Sequence, residues 1–157
     1  MKVSTDSING VVGPHILITG ANVHVRSGSG ATDEHLLTGG SLTGLGNLII
    51  GYNEPNTTGS VRTGSHNLVG GSLNAFSSTG GLVFGHGNTL SGPYSAILSG
   101  EANIASGTNA SVIDGYGNKA TGLDTTVLGG KGNIVSTDYY SVPASPIQTT
   151  RPPGTGF

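Results

Sequence analysis

The sequence predicts an all-β protein, a parallel β-solenoid or β-roll with coils of about 15 residues, closed at its N-terminal end by a short β cap. Three observations lead there: glycine and asparagine recur at a fixed period, short apolar pairs recur in step with them, and charged residues are scarce at 9%. Glycine supplies 29 of 157 residues but not every third one, which excludes a collagen-like helix. Apolar residues make up 34% and sit in regular clusters, which argues against disorder. A helix is a poor alternative, because a glycine every seven or eight residues destabilises it by about 1 kcal/mol each.

Residues 1–45 lie outside the repeat and read as the cap or as an attachment segment. Ile16-Leu17-Ile18 and Val23-His24-Val25, separated by Thr19-Gly20-Ala21-Asn22, predict a hairpin or two strands of a capping layer. Such a cap covers strand edges that an open solenoid end leaves unpaired. Residues 27–43 are rich in Gly, Ser and Thr and read as loop.

Residues 46–136 carry the repeat. Gly85, Gly100, Gly115 and Gly130 are spaced by 15, as are Asn88, Asn103, Asn118 and Asn133. Leu90, Ala105, Ala120 and Val135 form a small apolar column, followed by hydroxyls (Ser91, Ser106, Thr121, Ser136) and a second glycine column (Gly92, Gly107, Gly122). Two less regular rungs precede these: Leu68 to Asn74, and Leu48-Ile49-Ile50-Gly51 followed by an insertion over 53–65. Glycine and asparagine suit the tight turns of such a coil, since both accept left-handed backbone and Asn also bonds locally. A stacked Asn column can form a side-chain amide ladder along the axis.

The paired apolar residues carry a further expectation. Neighbours in a strand face opposite ways, so Leu82, Ile97, Val112 and Val127 are expected in one row and Val83, Leu98, Ile113 and Leu128 in the other. Only one row fits the narrow interior. The other becomes an exposed apolar stripe unless a partner covers it, and small coils bury little by themselves. A homotrimer with the stripe on its axis is expected; the alternative is a monomer whose own N- or C-terminal segment covers it.

Residues 137–157 hold four of the seven prolines (Pro143, Pro146, Pro152, Pro153) and read as an extended tail incompatible with a sheet. Tyr139, Tyr140, Ile147 and Phe157 could dock it on a neighbour.

Composition narrows the functions. A net charge of −2 with no basic stripe gives no case for nucleic acid, and no apolar run is long enough to insert in a membrane. With no cysteine, thiolate chemistry is absent. The chain opens Met1-Lys2-Val3-Ser4-Thr5-Asp6 without a secretory signal, so a location on an extracellular surface or a virion or particle exterior is expected to be reached by another route. No cofactor and no metal site is expected: His15, His24, His35, His66 and His86 are scattered, and Gly129-Gly130-Lys131-Gly132-Asn133 lacks the Asp column of a calcium-binding repeat. Glu101 and Asp114 lie on successive coils but in different columns, a poor carboxylate pair for glycoside hydrolysis. An enzyme is therefore not expected.

Ser111-Val112-Ile113-Asp114-Gly115-Tyr116-Gly117-Asn118-Lys119-Ala120-Thr121-Gly122 resembles the head repeat of YadA-like trimeric autotransporter adhesins, broadly Ser-Val-Ala-Ile-Gly-x-x-Ser/Ala-x-Ala-x-Gly. The resemblance covers about 81–136, and more loosely extends back to 45. It implies a trimeric left-handed parallel β-roll that binds host or matrix surfaces; similar modules occur in virus fibres. Here the period is 15 rather than the family's usual 14, the third position is not a consistent Ala, and Asn stands at the outer turn. Residues 45–53 and 62–69 also resemble the opening of a group of bacterial Asn/Gly/Ser repeat proteins, which implies no activity.

These readings lead to a non-catalytic structural or adhesive fibre or decoration protein, homotrimeric, with other structural proteins of a particle as partners. Contacts to a surface glycan or receptor are expected at the coil edges, at Tyr52, Phe76, Tyr94 and Tyr116. The alternative is a receptor- or glycan-binding tip with glycan-hydrolase activity at a subunit interface.

Overall fold

A computed structural model describes residues 2–55 and 59–143. The chain starts with an antiparallel pair, β1 (Lys2–Ser4) and β2 (His15–Leu17), in which Val3 faces Ile16. The expected partner segment Val23-His24-Val25 forms no strand. Residues 27–43 are loop, as expected, apart from a 3-10 turn at Leu36–Thr38.

From Leu48 onward the chain coils into a parallel β-solenoid with two sheets. The long sheet stacks β3 (Leu48–Ile50), β4 (Leu68–Gly70), β6 (Leu82–Val83), β8 (Ala96–Ile97), β10 (Ser111–Val112), β12 (Thr126–Val127) and β14 (Ser141–Val142). The short sheet stacks β5 (Ala75–Phe76), β7 (Thr89–Leu90), β9 (Ile104–Ala105), β11 (Lys119–Ala120) and β13 (Ile134–Val135). Since β14 pairs in register with β12, the solenoid runs on to Val142, past the point where the prolines were expected to end it. Pro143 lies just beyond the last ladder position. The remaining tail residues, Pro146, Ile147, Pro152, Pro153 and Phe157, lie outside the described residues.

The core is a double file of side chains. Val69, Val83, Ile97, Val112 and Val127 point inward from the long sheet; Phe76, Leu90, Ala105, Ala120 and Val135 meet them from the short one. The expected rows need one correction. Val83 rather than Leu82 stands in line with Ile97, Val112 and Val127, because Leu82 pairs with Ala96 and Val83 with Ile97. The physical reason is a change of coil length. Leu68 to Leu82 and Leu82 to Ala96 are steps of 14, whereas Ala96 to Ser111 and Ser111 to Thr126 are steps of 15. The extra residue follows the strand, at Ser99, Asp114 and Gly129. Spacing counted on the glycines falls on the far side of that insertion, so it misplaces the strand above by one.

The corner between the sheets is tied by asparagine. Asn74, Asn88, Asn103 and Asn118 are buried. The Oδ1 of Asn103 accepts the backbone N–H of Asn118 at 2.9 Å, and its Nδ2 donates to the carbonyls of Gly115 at 2.9 Å and Ser99 at 3.5 Å. The same pattern repeats from Asn53 through Asn133. The ladder is thus chiefly side chain to backbone, not the amide-to-amide stack the sequence suggests; side chain meets side chain where Asn133 Nδ2 donates to Asn118 Oδ1. A second, shorter ladder joins Asn47, Asn67 and Gly81 at the opposite corner. Glycine is enforced where coils come closest: at Gly115, φ is 103° and a Cβ would lie 2.1 Å from the Gly130 carbonyl oxygen.

Candidate functional site: an uncharged sheet face beside a docked segment

Because side chains alternate across a strand, the residues flanking the inward Val/Ile column face outward. One outer column runs Leu48, Leu68, Leu82, Ala96, Ser111, Thr126 and Ser141; the other runs Ile50, Gly70, Phe84, Leu98, Ile113, Leu128 and Pro143. Neither column contains a charged residue. Of the four residues expected in the outer row, Leu98, Ile113 and Leu128 are there, and Phe84 takes the place assigned to Val83. Phe84 lies across Gly70, where a Cβ would come within 2.4 Å of its ring. Leu98 is 47% and Leu128 53% exposed, while Phe84 and Ile113 are half-buried.

The N-terminal segment borders the other column. Val25 and Thr32 stand beside Leu48, Leu68 and Leu82 and enclose a shallow groove of about 440 Å3, ending at Tyr94. A neighbouring cavity of about 540 Å3 lies between the 23–32 loop and His66. His66 fixes this segment to the solenoid. Its Nε2 accepts the Ser27 N–H at 3.1 Å, and its Nδ1 lies 3.0 Å from the Thr32 carbonyl. With both ring nitrogens engaged, His66 has no free lone pair for proton abstraction from a substrate. Thr79 also donates its hydroxyl to the Thr32 carbonyl.

Behind His66 sits Glu34, only 2% exposed. Its Oε1 accepts from Thr43 at 3.2 Å and lies 3.5 Å from His66 Nδ1, while its Oε2 finds no hydrogen-bond partner among the described residues. The nearby Ser27 hydroxyl does most to hold the Glu34 carboxyl below the ordinary carboxylate range; burial opposes this, and Thr43, Ser29 and His66 assist it. Neither Glu34 nor the role of His66 is visible in the repeat, and no periodic signal points to a contact between residues 34 and 66.

The expected edge contacts divide. Tyr52 is almost wholly exposed, and Tyr94 and Tyr116 are about half exposed. Phe76 is not a ligand contact: at 2% exposure it fills the core file, in register with Leu90. The Lys131 ammonium lies over the Tyr116 ring, 5.3 Å from its centre, in a column that continues through Glu101 and His86. Asp114 accepts from the Gly115 backbone and from the Ser99 hydroxyl at 2.8 Å, and these bonds lower its pKa. That is opposite to the rise a general acid of a glycosidase needs. Among the described residues, no group of three or more His, Asp or Glu is gathered to hold a metal ion. No helix among them is long and apolar enough to cross a membrane.

No protein-family model, curated protein or solved structure matches the chain.

Proposed function

We propose that this chain is a non-catalytic structural or adhesive module of a fibre or decoration protein, assembled as a homotrimer on a particle or cell exterior. One observation carries the reading: the outer face of the long sheet presents the exposed Leu98 and Leu128 and the half-buried Phe84 and Ile113 in one uncharged stripe. Its side chains recur at the strand spacing of about 4.8 Å, so another copy of the same sheet matches it in period. Three copies around an axis parallel to the coils give each stripe two neighbours. The likeness of residues 111–122 to the YadA-like head repeat supports three rather than two. Other structural proteins of the particle would then meet the ends of the rod.

The test is mass in solution. Size-exclusion chromatography with light scattering on the full chain is expected to give three times the 15.6 kDa chain mass. A folded monomer at micromolar concentration would overturn the assembly and with it this use of the stripe.

A further inference from the structure

Each coil turns at two corners through a residue with left-handed backbone, and the two corners are built alike but filled differently. At the corner leading into the short sheet these residues are Leu73, Gly87, Ala102, Gly117 and Gly132. From Gly87 onward each amide reaches the coil before, as Gly117 N–H does to the Glu101 carbonyl at 3.0 Å. At the corner leading back to the long sheet the corresponding residues are Gly80, Tyr94, Asn109, Asp124 and Tyr139, with φ of 66°, 56°, 55°, 51° and 60°. The backbone bonds there are of the same kind: Tyr94 to Thr79, Asn109 to Pro93, Asp124 to Thr108 and Tyr139 to Leu123, all within 3.0 Å.

The same backbone requirement is thus met mainly by glycine at one corner and twice by tyrosine at the other. Asn and Asp accept this conformation readily, but tyrosine gains nothing from it. Nor do these tyrosines serve the core. Tyr94 is 49% exposed with its ring over Gly80, and Tyr139 is 74% exposed. Between them, the exposed Asn109 donates to Asp124 Oδ1 at 2.8 Å. One coil above Gly80, His66 also departs from glycine at this corner, and there the side chain has a use: it holds the N-terminal segment. Unfavourable backbone retained in an exposed row points to a task for the side chains.

We infer that this row is a binding rail for a neutral, extended carbohydrate chain lying along the solenoid axis. Sugar rings stack their C–H faces on Tyr94 and Tyr139, and sugar hydroxyls bond Asn109 and Asp124. The inference rests on the adhesive reading above and names its ligand class. Coils are about 4.8 Å apart, so the tyrosines stand about 14 Å apart, enough for several consecutive sugar units. The row and the positions preceding it (Pro93, Thr108, Leu123, Asp138) carry no Lys or Arg, and Asp124 and Asp138 repel anions. Sulfated and sialylated chains are therefore disfavoured.

The experiment titrates the full chain with cellohexaose, chitohexaose and mannohexaose, and with a heparin hexasaccharide as the anionic comparison. The chain has no tryptophan, so tyrosine emission reports binding directly, with calorimetry alongside. At least one neutral hexasaccharide is expected to bind, and the heparin fragment not. The Tyr94→Gly/Tyr139→Gly double variant removes both rings while easing the backbone, so it should fold at least as stably and bind about tenfold or more weaker. Light scattering on the same samples separates this from assembly, since a wild-type trimer that binds no neutral hexasaccharide sinks the rail alone. Unchanged affinity in the double variant, or preference for heparin, would equally overturn it. A double variant that loses stability would show the tyrosines to be structural and do the same.

Discussion

The long and short sheets share one interior and differ outside. Behind Ile97, Val112 and Val127 the long sheet turns Leu98, Ile113 and Leu128 to solvent. Behind Ala105, Ala120 and Val135 the short sheet turns out the hydroxyls of Ser106, Thr121 and Ser136 on one side and the mixed column Ile104, Lys119 and Ile134 on the other. Strand pairing and burial treat both faces alike, so the contrast comes from the outward positions alone. A column of hydroxyls is satisfied by water; the aliphatic column Leu98, Ile113 and Leu128 gains by being covered, at about 25 cal/mol per Å2 of apolar surface removed from water. On the assembly proposed above, the side chains that build the coil and those that join coils to other chains are therefore separable, and substitutions can test the two independently.

The largest effect should come from charging the two faces in turn. Leu98→Lys/Leu128→Lys is expected to abolish the trimer at micromolar concentration while far-ultraviolet circular dichroism keeps its β signature. Ser106→Lys/Ser136→Lys, the equivalent change on the short sheet, should leave the mass in light scattering unaltered. If both pairs behave alike, the contrast between the faces has no role in assembly.

Inside, the faces should become equivalent again. Ile97 is wholly buried and looks toward a file that is already small at Ala105 and Ala120, so the space left by Ile97→Ala has little to collapse into it. A loss of about 2–5 kcal/mol is expected in denaturant unfolding. Both sheets should lose protection together in hydrogen exchange, at the Leu98 and Ser106 amides alike. Separate loss in the long sheet would mean that the two sheets do not share one cooperative core.

Asn103→Ala tests the corner that joins the faces. It removes three hydrogen bonds from a wholly buried side chain and leaves the Asn118 amide and the Gly115 carbonyl without that partner. The expected loss is about 2–3 kcal/mol, read from the same unfolding curves. Ser106→Ala, on the solvated face, should fall within about 0.5 kcal/mol of wild type.

These features were unevenly legible in the sequence. The Asn and Gly columns were readable because each position serves the same backbone contact in every coil. The strand register was not, since residues such as Ser99 and Asp114 add one position between strand and turn, and a count on either feature alone cannot reveal it. Phe76 could be read two ways: its place two after Asn74 puts it in the interior column with Leu90, where the structure has it, whereas its being aromatic among small residues suggested an edge contact. Val23-His24-Val25 has the alternation of a strand, but alternation names no partner, and β2 pairs with β1 instead. The pairing of Glu34 with His66 joins an irregular segment to the start of the repeat, where periodicity carries no information.

That pairing gives the smallest and most local prediction. The folded state lowers the Glu34 pKa from its ordinary 4.5, so its ionised form is favoured by folding. The contribution to docking of residues 27–43 is therefore complete above about pH 4.5 and is lost as the pH falls through the lower folded value. Hydrogen exchange should then show the Ser27 amide, which bonds His66 Nε2, losing protection in acid before the Asn118 amide, which bonds Asn103 within the solenoid. Glu34→Gln removes the titrating group and should flatten the part of that pH dependence that Glu34 contributes. A variant whose Ser27 amide titrates as in the wild type would assign the acid sensitivity to another group. It would leave Glu34 as a packing residue beneath the docked segment.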